Sequence, residues 1–81
     1  MRTYKFRAEC FTDAWIFINS GLVSRYKLEQ ELSFPDVVVT FSTKKHLTDI
    51  VRIMKRIPDP HVMIDTLKPV AEYTGERTYA N

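Results

Sequence analysis

The chain is expected to fold as one α+β domain in which a four-stranded antiparallel sheet carries two helices on one face. Three observations predict this. Apolar and polar residues alternate with period two over residues 2–10 and 22–32, as they do in strands buried on one side. Leu47, Ile50, Val51, Met54 and Ile57 recur instead at helical spacing. The length of 81 residues leaves room for only one packed core.

In the first strand Tyr4, Phe6, Ala8 and Cys10 fall on the inward side, and Thr3, Lys5, Arg7 and Glu9 on the outward side. A short helix is then expected from Thr12, which can cap it, with Asp13 in its first turn and Gly21 closing it. Residues 22–32 form the second strand, with Leu22, Tyr26, Leu28 and Leu32 inward and Val23, Arg25, Lys27, Glu29 and Glu31 outward. Ser33-Phe34-Pro35-Asp36 supplies turn chemistry, and the β-branched run Val37-Val38-Val39-Thr40-Phe41 returns as the third, central strand of a hairpin. Thr43 is the expected cap of the second helix, which Pro58-Asp59-Pro60 stops.

Residues 61–67 admit two readings. Asp59 as a cap with Pro60 at the first position would start a helix. The Val, Ile and Thr content, with Pro69 close behind, favours a strand, and a strand is expected here. Residues 1–70 thus form the domain, and residues 71–81, polar with Tyr73, Gly75 and Tyr79, a loosely held tail. The order strand, helix, strand, strand, helix, strand resembles the ferredoxin-like sandwich (βαββαβ), a resemblance of pattern rather than of motif. It implies that the first and third strands lie in the middle of the sheet and that the face away from the helices is open. It implies no function.

The composition, 44% hydrophobic and 27% charged with 2 Gly and 4 Pro, is that of a globular chain. A single cysteine, Cys10, excludes an internal disulfide and a cysteine-based zinc site, and suits a small buried apolar role in a reducing compartment. The N-terminal residues lack the apolar run of a secretion signal, and no stretch has the length of a membrane span, so a cytoplasmic location is expected. No phosphate-binding glycine loop is present. His46 and His61 read as surface or boundary residues; a metal site joining them to Asp59 or Asp65, or acid and base work by His61 and Asp65, would need a convergence that the sequence does not show. No catalytic residue, metal or cofactor is expected.

Within the superfold, an acylphosphatase-like anion loop is replaced here by the acidic, glycine-free Glu9-Cys10-Phe11-Thr12-Asp13, and a heavy-metal carrier would need two cysteines. The strand register turns Tyr4, Phe6 and Phe41 toward the helices, which argues against the outward aromatics of an RNA-recognition motif.

Two surface features remain. Lys44, Lys45, Arg52, Lys55 and Arg56 fall within about 120° of one another if the second helix spans them, a stripe suited to an anionic partner or simply to the solvated side of an amphipathic helix. Only Asp49 offsets them. In the first helix, Ala14, Trp15, Ile16, Phe17 and Ile18 point in nearly every direction, so packing by one face leaves apolar surface outside. Trp15, Ile16 and Phe17 are the candidate protein interface, unless the tail, through Val70, Tyr73 or Tyr79, covers them.

The function expected is non-catalytic macromolecular binding, first of a protein or a second copy, as in small regulatory, inhibitory or phage accessory proteins. The alternative is nucleic-acid binding through the basic stripe, helped by Lys5, Arg7, Arg25 and Lys27 on the open sheet face. No membrane or small-molecule partner is expected.

Overall fold

A computed structural model describes residues 1–30 and 36–70 of the chain. It shows a small α+β fold with a four-stranded antiparallel sheet and three helices: β1 (Arg2–Ala8), α1 (Phe11–Ile18), β2 (Arg25–Gln30), β3 (Val37–Thr43), α2 (Leu47–Met54), α3 (His61–Thr66) and β4 (Lys68–Pro69). The strands lie in the order β2-β3-β1-β4, which puts β1 and β3 in the middle.

The register follows from the alternation. Tyr4, Phe6 and Ala8 stand opposite Phe41, Val39 and Val37, and all six are buried on the side that carries the helices. Phe17 completes this core, meeting the Phe6 and Phe41 rings edge-on with centroids 5.0 and 4.9 Å away. Lys5, Arg7, Thr40 and Ser42 point to the other face.

β1 ends at Ala8, and helix α1 begins at Phe11 with Cys10, rather than Thr12, at its N-cap position. The helix ends at Ile18. Ala14, Phe17 and Ile18 are its buried residues, a spacing of three and four that fits a helix lying on a sheet. Gly21 therefore does not close the helix. Its φ of +92° belongs to the turn that follows, where a left-handed conformation costs glycine least. That turn sends Leu22 into the core. β2 starts later than expected, at Arg25, and its expected residues 31–32 lie outside the described residues, as does the turn segment 33–35.

Thr43 is not a helix cap. It ends β3 fully buried, donating from Oγ1 to the Leu22 carbonyl at 2.8 Å and accepting the Lys45 N–H at 3.0 Å. The helix starts at Leu47 with His46 as its N-cap residue. Ile50, Met54 and Ile57 pack inward as expected, but Leu47, the first residue of the helix, is exposed.

The strand expected at 61–67 is a helix. After Asp59, at φ 54°, Pro60 leads into α3, where Met63 is buried and Ile64 and Leu67 pack against the same core. Spacing of three and four thus outweighs β-branched content. Thr66 fits because its hydroxyl donates to the Val62 carbonyl at 2.6 Å. Pro69 does not interrupt the helix, since Leu67 has already turned extended. Among the described residues the fourth strand is consequently Lys68–Pro69, paired with Lys5 and Tyr4. Val70 continues along this edge, its N–H donating to the Thr3 carbonyl. The tail at 71–81 lies outside the described residues, and with it the covering of α1 by Tyr73 or Tyr79.

Candidate protein-contact surface

Helix α1 packs on β1 and β3 in the centre of the sheet, and its outward side faces the β2 edge. With Ala14, Phe17 and Ile18 committed to the core, the intervening Trp15 and Ile16 are left 41% and 45% exposed. Phe17 is therefore not an interface residue. It is fully buried between Phe6 and Phe41, because the helix needs one large side chain directly over the sheet.

Trp15 reaches the edge strand, where its ring meets Tyr26 edge-on at 5.8 Å and 80°. Tyr26 points to the helix side, as its alternation requires, yet is 48% exposed, since among the described residues only Trp15 of α1 reaches the end of β2 on which it stands. Phe11, one turn before Trp15, is also exposed. Trp15, Ile16 and Tyr26 thus form an aromatic and aliphatic surface running from α1 to the sheet edge. The sequence gives no sign of Tyr26 as a contact residue, because period two tells which face a residue occupies but not whether that strand ends a sheet. The charges of Arg25, Lys27 and Glu29, and the resemblance that puts the first and third strands in the middle, were the available signals of an edge.

The basic residues do not form one helical stripe. Lys44 and Lys45 precede α2, Arg52 lies within it, Lys55 is its C-cap residue with helical backbone and its N–H on the Val51 carbonyl, and Arg56 follows in the tighter turn after it. Helical spacing does not apply across segments that are not helical. Lys45, Arg52 and Arg56 do converge, lining a cleft with Ser20, Gly21 and Asp49 where the α1–β2 turn meets α2. Within it Arg52 donates to Asp49 Oδ1 at 2.9 Å. Lys55 belongs to a different surface, a shallow groove beside Leu47 and Val51, and Lys44 is exposed.

The open sheet face is basic across three of its strands. The pairing of Arg25 with Ser42, Lys27 with Thr40 and Lys5 with Lys68 puts Lys5, Arg7, Arg25, Lys27 and Lys68 on one side. Arg7 lies 3.7 Å from Asp36, and Lys27 3.6 Å from Glu29. Exposed pairs at these distances soften the charge without cancelling it.

Cys10 is a half-buried free thiol at the start of α1. His61 and Asp65 are both exposed on α3, four residues apart on its outer side, and His46 is exposed before α2. Among the described residues no three His, Cys, Asp or Glu side chains cluster as a metal site would require, and no helix is long and apolar enough to cross a membrane. Comparison with protein-family models, with curated proteins and with solved structures found no match to this chain.

Proposed function

We propose that this is a small non-catalytic binding protein whose working surface is Trp15, Ile16 and Tyr26 and whose partner is a protein. The observation that carries the reading is the exposed Trp15–Tyr26 pair. Large aromatics held by contact with each other lose little freedom on binding and are the residues that dominate interface centres. A regulatory or inhibitory role and a cytoplasmic location go with this reading, the latter supported by the single free Cys10. The fold is proposed to be a variant of the ferredoxin-like sandwich; central β1 and β3 support that, while α3 and the two-residue β4 are departures from the two-helix plan.

The test is a photo-crosslinking side chain at position 16 in the full chain. Discrete protein adducts that disappear with Trp15→Ala support the reading; labelling no different from that of the same probe at position 9 contradicts it. Ile16→Glu should abolish the adduct's parent complex while leaving the fold intact, whereas Ile18→Glu should disrupt the core.

Nucleic-acid binding is the second reading, favoured by the basic open face and by the convergence of Lys45, Arg52 and Arg56. It calls for single-stranded RNA and duplex DNA to bind with steep salt dependence, and for replacement of those three residues by Gln to weaken binding. Affinity unchanged by the replacements would remove the cleft from this reading.

A further inference from the structure

The two edges of the sheet are built differently. At the β4 edge pairing lasts two residues, Pro69 has no N–H to offer, and Val70 N–H is already bound to the Thr3 carbonyl at 2.9 Å. Farther along β1 the Arg7 N–H is taken by Thr66 Oγ1 at 2.8 Å. Such features blunt an edge against further pairing. The β2 edge has none of them. Its six residues, Arg25–Gln30, include neither Pro nor Gly, and among the described residues no strand pairs with its outer side.

We propose that β2 pairs antiparallel with β2 of a second copy of this chain, about a two-fold axis at Leu28, so that the two sheets join. This rests on the reading of Trp15 and Tyr26 as a protein-contact surface and names the partner. The register is chosen by charge. With the axis at Leu28, Lys27 faces the partner's Glu29 and Glu29 faces the partner's Lys27, so two opposite-charge pairs form on the open face. An axis at Lys27 would set that residue against its own copy, and an axis at Glu29 would do the same for the acid. Leu28 meets the partner's Leu28 on the helix side, where Tyr26 faces the partner's Gln30. Registers between residues would turn the apolar face of one copy against the open face of the other. At Leu28 the helices of both copies lie on the same side, and Trp15, resting on Tyr26, stands beside the seam.

Within one chain Lys27 and Glu29 lie 3.6 Å apart, so the test must separate pairing within a strand from pairing across the axis. Charge reversal does so. K27E and E29K each place like charges across both positions and should weaken dimerisation on the order of tenfold, read by sedimentation equilibrium. Mixing the two variants should restore a dimer, now mixed. The two carboxylates at positions 27 and 29 of the K27E chain then face the two ammonium groups at positions 29 and 27 of the E29K chain, although neither chain regains its internal pair. The double variant K27E/E29K should restore the homodimer. A wild-type chain that stays monomeric up to millimolar concentration overturns the proposal, as does a dimer that both single variants leave unchanged or that mixing fails to rescue. A monomer that still crosslinks from position 16 to a different protein would overturn self-pairing alone; absence of any position-16 adduct would overturn the protein-contact reading as well.

Discussion

Thr43 joins the two halves of the chain at one hydroxyl. Its Oγ1 serves the Leu22 carbonyl after the α1 turn and the Lys45 N–H before α2, with the side chain wholly buried. Thr43→Val keeps the shape and removes both bonds, so unfolding in urea should show a loss of about 1–3 kcal/mol from the polar groups left unpaired. Phe17 and Ile16 are adjacent and opposite in role. Phe17→Ala should cost about 3–5 kcal/mol, since it empties the centre of an aromatic cluster, whereas Ile16→Ala should change stability by less than about 0.5 kcal/mol. Thermal or denaturant unfolding of the pair measures the assignment of faces directly. The sequence alone groups Trp15, Ile16 and Phe17 as excess apolar surface; only the direction in which α1 settles on Phe6 and Phe41 separates the third from the other two.

Strands whose two faces differ in polarity were legible because a slip of one residue would expose Phe6, Val39 and Phe41 together. The same reasoning recovers Ile50, Met54 and Ile57 as the buried side of α2 and the turn after it. It fails at α3, where His61-Val62-Met63-Ile64-Asp65-Thr66 satisfies a strand's composition and a short helix's spacing alike. Two prolines fit the helix: Pro60 precedes the helical turn and Pro69 lies beyond its end. Met63→Ala should cost about 2–4 kcal/mol while Asp65→Ala is close to neutral, which chemical denaturation would check. Helix-type backbone chemical shifts across 61–66 would check the element itself. The edge position of β2 followed from the resemblance that puts the first and third strands in the middle of the sheet, but alternation by itself does not carry it into the exposure of a particular side chain. By alternation alone Tyr26 reads as a core residue.

Across the molecule, the sheet separates the core from a basic open face, while a second basic group, Lys45, Arg52 and Arg56, lies on the helix side against α2. Helices and core occupy one side and the open face the other, and the Trp15–Ile16–Tyr26 surface and the proline-free β2 edge meet along one flank. A formal net charge of +2 is too small to oppose association of two copies strongly. The proposed dimer should weaken as salt rises, because Lys27 and Glu29 would pair across its axis, and should keep a salt-independent part from the burial it would bring to Tyr26, Leu28 and Trp15. Because Trp15 is the only tryptophan, its fluorescence reports on this flank alone. The most direct measurement is its emission maximum and acrylamide quenching as the chain is concentrated from low micromolar to millimolar. Self-pairing at β2 requires a blue shift and reduced quenching with a midpoint that follows the sedimentation dimer constant and moves to higher concentration in K27E. Emission and quenching that stay those of an exposed tryptophan at every concentration would contradict the account.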